Sequence, residues 1–181
     1  MEHPNPYIVV GVGRCGTSTV ARVLHTKLNV CMGLEFVKSS KSNPDGTYED
    51  IVFWLLNRKL LGNKVAFPSW HYAVQQLVMD RQNLNVPWGW KDPVTSQLLG
   101  IYLTFFDNPK IIRCNRDKIL VLQSMKKHWK RTADSAASQY ISTTACLDRI
   151  LKGMDHLVID FGKEVLSDEY IIERITSKWE T

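Results

Sequence analysis

Residues Gly11 to Thr19, Gly-Val-Gly-Arg-Cys-Gly-Thr-Ser-Thr, have the composition of an anion cradle. Glycines let a backbone come close to a ligand, while three consecutive hydroxyls and one guanidinium add donors. An apolar run with helical spacing follows (Val20, Val23, Leu24, Leu28), so the hydroxyls open a helix. The unpaired N–H groups of a first helical turn and the helix dipole favour negative charge there. A buried strand from Tyr7 to Val12, mostly β-branched, leads into the loop. The stretch is therefore expected to hold a phosphate-like group.

Three ligand classes fit such a loop. Gly11, Gly13 and Gly16 match the dinucleotide fingerprint, with Glu35 near the acidic position about 20 residues further on. Gly11 and Gly16 also match the start of the nucleoside-triphosphate loop, but Thr17 stands where that motif requires lysine. The third is a phosphosulfate loop, which pairs a basic residue with glycine and a run of Thr and Ser, as Arg14 to Thr19 do. A glycine-rich βα turn without a ligand is the bland reading. The loop alone leaves these open.

The elements that must position these residues follow from periodicity. Strands are expected at Tyr7 to Val12, Asn29 to Met32, Val86 to Trp90, Lys110 to Cys114 and Leu157 to Ile159. Helices are expected at Thr17 to Lys27, at Tyr48 to Leu61 behind a Thr47 cap, and from a Ser69 cap to Gln82. Further helices run from Asp117 to Lys130, Asp134 to Lys152 and Asp168 to Trp179, the last capped by Ser167. In the second helix Ile51, Trp54, Leu55 and Leu61 read as the inward face. Lys38 to Thr47, rich in Ser, Asn, Pro and Gly, reads as an exposed, mobile loop. Strands alternating with helices imply an α/β fold of three layers, a parallel sheet with helices on both faces. Ligands of such sheets sit beyond the carboxyl ends of the strands. The glycine loop, Glu35, Lys91-Asp92 and Arg116 all follow strand ends, so one shared rim is expected.

The 181 residues fit a single domain, 1–181, with a full core. A net charge of +5 without any long basic block suits a polyanionic small molecule or an acidic acceptor better than nucleic acid. Cys15, Cys31, Cys114 and Cys146 show neither disulfide nor zinc spacing, which favours a reducing, cytoplasmic location and no metal. Met1 to Pro6 is no signal peptide, and no apolar run approaches the ~20 residues of a membrane span.

In family order, four stretches resemble the sulfotransferases that use 3′-phosphoadenosine 5′-phosphosulfate (PAPS). The spacing is most similar to the tyrosylprotein sulfotransferases and their bacterial relatives. Gly11 to Thr19 resembles the loop that binds the 5′-phosphosulfate, which implies a P-loop-like fold with cofactor contacts from Gly13, Arg14, Cys15, Gly16, Thr17, Ser18 and Thr19. Asn29 to Glu35 carries Glu35 where that branch keeps its catalytic base. Trp90-Lys91-Asp92-Pro93 is similar to a segment whose lysine faces the phosphosulfate, so a catalytic role for Lys91 is implied. Lys110 to Met125 places Arg116 and Ser124 where the family binds the 3′-phosphate. The C-terminal third matches only through Leu157 to Asp160 and the helix after it, so no acceptor-binding residue carries over.

The resemblance implies sulfonate transfer from PAPS to a hydroxyl, or secondarily an amine, of a small-molecule, carbohydrate or peptide acceptor, leaving adenosine 3′,5′-bisphosphate. Negative charge growing on the departing phosphate calls for preorganised cations, and the acceptor proton calls for a base such as Glu35. The rivals are an NAD(P)-dependent Rossmann oxidoreductase, a P-loop phosphotransferase and an inactive nucleotide-binding module. Among single residues, Asp92 reads as a cap, and Cys15 as a thiol worth attention because helix N-termini lower thiol pKa. Trp70 and Trp88 read as core or groove lining and His71 as solvent-facing or core, with an aromatic acceptor pocket built from the three as the alternative.

Overall fold

The computed structural model describes residues 4–39, 46–62, 64, 66–162 and 166–179. Among these, four strands form one sheet: β1 (Tyr7–Gly11), β2 (Gly89–Lys91), β3 (Lys110–Arg116) and β4 (Leu157–Phe161). Their order is β2-β1-β3-β4, and every pairing is parallel. The helices are α1 (Thr17–Lys27), α2 (Ile51–Leu61), α3 (Phe67–Gln82), α4 (Thr95–Tyr102), α5 (Lys118–Trp129), α6 (Ala133–Ile150) and α7 (Asp168–Trp179).

Because side chains alternate along a strand, β1 feeds two cores. Tyr7 and Val9 pack with Val20 and Leu24 of α1 and with Ile171 of α7. Ile8 and Val10 pack with Phe53 of α2, Trp70 of α3 and Tyr102 of α4. Burial on both faces makes β1 wholly apolar until Gly11, which explains its legibility. The three-layer α/β architecture is the one that the alternation of strands and helices implies. On one outer face Arg22 of α1 grips Asp168 of α7 with both guanidinium branches, and this hydrogen bonding holds the Asp168 carboxyl below its ordinary range.

Several element boundaries differ from the sequence reading, each for a local reason. Asn29 to Met32 is not a strand but a single parallel bridge, Cys31 to Trp88. Pro87 accepts from the Cys31 N–H but has no N–H of its own to extend the ladder. The second helix begins at Ile51 rather than Tyr48, because Asp50 and not Thr47 accepts from the first-turn N–H groups of Val52 and Phe53. The inward face of α2 is Phe53 and Asn57, while Leu55 and Leu61 are exposed. The helix turns this way because buried Asn57 bonds Asp92, Thr95 and Tyr102, and a polar residue outside the expected apolar face therefore sits at the centre. Helix α3 starts behind Ala66 with a proline in its first turn, so Ser69 lies inside it. The loop expected at Lys38 to Thr47 falls in part, 40–45, outside the described residues.

Candidate active site

The glycine loop leaves β1 at Gly11, and a buried serine fastens it. Ser96 of α4 accepts from the Gly11 N–H and donates to the Gly11 carbonyl, both at 2.9 Å. Removing the hydroxyl strands a buried N–H and a carbonyl. Ser96→Ala is therefore expected to lower stability by about 1–3 kcal/mol in urea unfolding.

Beyond Gly11 the turn closes on itself through Cys15 N–H to Val12 O and through Thr19 and Val20 N–H to Gly16 O. Gly16 takes φ 95°, and a β-carbon there would meet the Phe161 ring at 2.6 Å. The residue must be glycine on both counts. Trp129, at the end of α5, covers Gly13. The Cys15 thiol turns inward and donates to the Cys114 carbonyl at 3.1 Å. Burial pushes it up to about 12, the opposite of an activated thiol.

Arg14 is the hub. It sits in the left-handed region (φ 75°), and its Nε donates to Ser124 Oγ at 3.0 Å. Arg116 Nη1 donates to the Arg14 carbonyl at 3.3 Å. The structure thus joins Arg116 and Ser124, which spacing alone did not pair, through the loop residue between them. Burial, and then the Arg116 charge, lower the Arg14 pKa. Two guanidinium groups held this close are relieved by an anion between them. Arg14 and Arg116 line a cavity of about 160 Å³ with Gly16, Thr17, Ser18 and Thr19, at the N-terminus of α1.

A second cavity, about 370 Å³, opens on the other side of Arg14. Its walls include Thr17, Ser18, Glu49, Lys91 and Trp129. Lys91 ends β2 beside Val9 and is 2% exposed, with Nζ donating to Glu49 Oε1 at 2.8 Å. Asp92 faces the opposite way and accepts from Asn57, Arg58 and the Val94 N–H, partly as the expected cap and mainly as the centre of a buried polar cluster. Glu35 is not brought to this cavity. It is exposed and lines a separate one with Leu34, Val52 and Asp80. An antiparallel bridge, Phe36 to Asp50, holds Glu35 and Glu49 on neighbouring segments, yet only Glu49 turns inward.

A third cavity of about 440 Å³ lies beyond β3 and β4, lined by Asn115, Arg116, Lys118, Tyr140 and Asp160 among others. Arg113, on the same strand as Arg116, is tied to Asn115 (3.0 Å) and Asp148 (2.7 Å). Trp70 and Trp88 are wholly buried in the core beside Phe53 and Trp90, so no acceptor pocket forms from them. Sequence reasoning missed Glu49 and Ser96. A buried strand-end lysine demands a carboxylate, which was a signal for Glu49, though not for its position. Among the described residues no group of His, Cys, Asp and Glu could hold a metal ion, and no helix is long and apolar enough to cross a membrane.

No family model and no curated protein matches the chain. Solved structures do. A sulfotransferase from Mycobacterium tuberculosis superposes with a TM-score of 0.60 at 14% identity, over 99% of this chain and 68% of its own. The sulfotransferase domain of the Synechococcus PCC 7002 olefin synthase gives 0.58 at 16%, over 98% and 74%. Deoxyadenosine kinase from M. mycoides gives 0.51 at 15%, over 97% and 100%. The chain has a P-loop-like α/β fold, shared with sulfotransferases and with a nucleoside kinase.

Proposed function

We propose that this protein transfers a sulfonate group from PAPS to a hydroxyl of a small-molecule, carbohydrate or peptide acceptor. The observation that carries this reading is the arrangement of cations about the loop. Arg116 and Ser124 meet Arg14 on one side, and Lys91 stands on the other, across the α1 N-terminus. Two separated anion positions suit a donor with both a 3′-phosphate and a 5′-phosphosulfate. Arg14, Arg116 and Ser124 fit the former, while the loop backbone, Thr17, Ser18 and Lys91 fit the latter.

When bound, the donor supplies an activated sulfonate on a phosphate leaving group. The chain's part is to hold that phosphate, neutralise its growing charge and keep the acceptor in line. Lys91 and the α1 N-terminus are fixed before any ligand arrives, because β2 pairing and the Ser96 link set them. The nucleoside kinase shares the fold, but the loop here has Thr17 in place of the lysine that triphosphate chemistry requires.

Thermal shift distinguishes these readings. Adenosine 3′,5′-bisphosphate at ~100 times its dissociation constant adds about 2.7 kcal/mol of stability, a rise of several degrees. Selective stabilisation by the bisphosphate over 5′-AMP, ATP and NADH is the expected result. A shift with ATP or NADH and none with the bisphosphate overturns the reading.

A further inference from the structure

We propose that Glu49 is the proton acceptor of this site, and that Lys91 leaves Glu49 for the donor's phosphate when the donor binds. The proposal rests on the sulfonate-transfer reading above. It begins with an ion pair in an unusual place. Lys91 and Glu49 are both buried, at 2% and 9% exposure, yet both line the cavity that reaches Thr17 and Ser18 of α1. Buried charges persist only while matched, so the pair keeps Lys91 charged and poised in the ligand-free protein.

Glu49 is also the one carboxylate among the described residues lining this cavity. Asp92, next to Lys91, is saturated by Asn57, Arg58 and the Val94 N–H. Glu49 is held by its backbone rather than by chance packing. Its carbonyl accepts from Val37 N–H at 2.9 Å and its N–H donates to Thr47 Oγ1 at 3.4 Å. The carboxylate is therefore delivered to a set place facing the α1 N-terminus.

A phosphate seated at that N-terminus offers Lys91 a second and more highly charged partner. As Nζ turns to it, Glu49 Oε1 loses its hydrogen bond and becomes available to the acceptor hydroxyl. The acceptor O–H bond then breaks, with its proton going to Glu49, while the oxygen's electron pair forms the new bond to sulfur. The bond from sulfur to the phosphate oxygen breaks with its pair remaining on that oxygen, opposite Lys91. The proton on Glu49 leaves to solvent after the products depart. One ammonium thereby serves first a carboxylate and then a phosphate, so that the base is released only once the donor is in place.

The test is a double-mutant cycle on adenosine 3′,5′-bisphosphate affinity by calorimetry, joined to the release of labelled sulfate from PAPS with water as acceptor. Glu49→Gln leaves Lys91 without a charged competitor and is expected to tighten the bisphosphate about 5-fold or more. Lys91→Met is expected to weaken it at least about 10-fold. In the Lys91→Met background, Glu49→Gln is expected to change affinity less than about 2-fold. Despite tighter binding, Glu49→Gln is expected to slow sulfate release about 100-fold, and Glu49→Asp to restore part of it. Melting curves show that each variant is folded, and Glu49→Asp carries the test if Glu49→Gln is not. Weaker bisphosphate binding by Glu49→Gln, or equal tightening with and without Lys91, overturns the exchange of partners. Equal sulfate release by wild type and Glu49→Gln overturns the proton role. Failure of the wild type itself to bind bisphosphate removes the donor reading instead.

Discussion

Asp50→Ala is expected to lower the free energy of unfolding by about 4 kcal/mol, a large loss for a change outside the ligand loop. Two functions end together. Asp50 Oδ1 accepts from the Val52 and Phe53 N–H groups and starts α2, a cap contributing about 1 kcal/mol. Asp50 Oδ2 accepts from Nη2 of Arg81 of α3, whose side chain is buried and whose Nε has no hydrogen-bond partner among the described residues. Removing one member of a buried pair leaves the other uncompensated, which costs about 3–5 kcal/mol. Set against a typical total of about 5–15 kcal/mol, the variant stands near the limit of folding. Asp50→Asn can keep the cap through its amide oxygen but then turns an NH2 donor toward Arg81, so only the cap's share of the loss is spared. Equilibrium unfolding in urea measures both. A loss under about 1 kcal/mol for Asp50→Ala would show that Arg81 has another counter-charge.

Arg14→Ala is expected to weaken adenosine 3′,5′-bisphosphate binding about 100-fold, since a charge-assisted fork and the bond that places Ser124 go at once, while the backbone carbonyl that accepts from Arg116 stays. Arg14 holds Ser124 through Nε and Arg116 through its carbonyl. Lysine has no equivalent of Nε, so Arg14→Lys is expected to recover little. Backbone strain provides an internal control. Arg14 lies at φ 75°, where glycine is at ease. Arg14→Gly is therefore expected to melt no lower than wild type, yet to bind as poorly as Arg14→Ala. Calorimetry beside melting curves separates the two effects. Affinity within about threefold of wild type for either variant would remove Arg14 from the ligand site.

The parts of the molecule that were legible in its sequence are those whose cause is local. The cradle could be read because glycine spacing, hydroxyls and the apolar period of α1 lie within some twenty consecutive residues. Helix α7 and the Asp117 cap of α5 were legible for the same reason. What escaped depends on distant partners. The phase of α2 is set by Asn57 meeting Asp92 and Tyr102, and no pattern within the helix announces it. Glu35 and Glu49 are both carboxylates on short segments near Asp50, and only the position of Lys91, 42 residues beyond Glu49, separates them. Ser96 lies 85 residues from the glycine it fastens and looks like any serine in a first helical turn.

The Phe36–Asp50 bridge and the Val37–Glu49 hydrogen bond close the base of the segment that they bracket. The residues proposed to grip the donor, Gly11 to Thr19, Lys91, Arg116 and Ser124, lie outside that bracket. At the foot of the bracket stands Glu49, its N–H donating to Thr47 Oγ1, so the closure itself is what presents the carboxylate to the Lys91 ammonium. On the proposed reading, the grip on the donor and the seat of the proton acceptor are thus hung on separate parts of the chain.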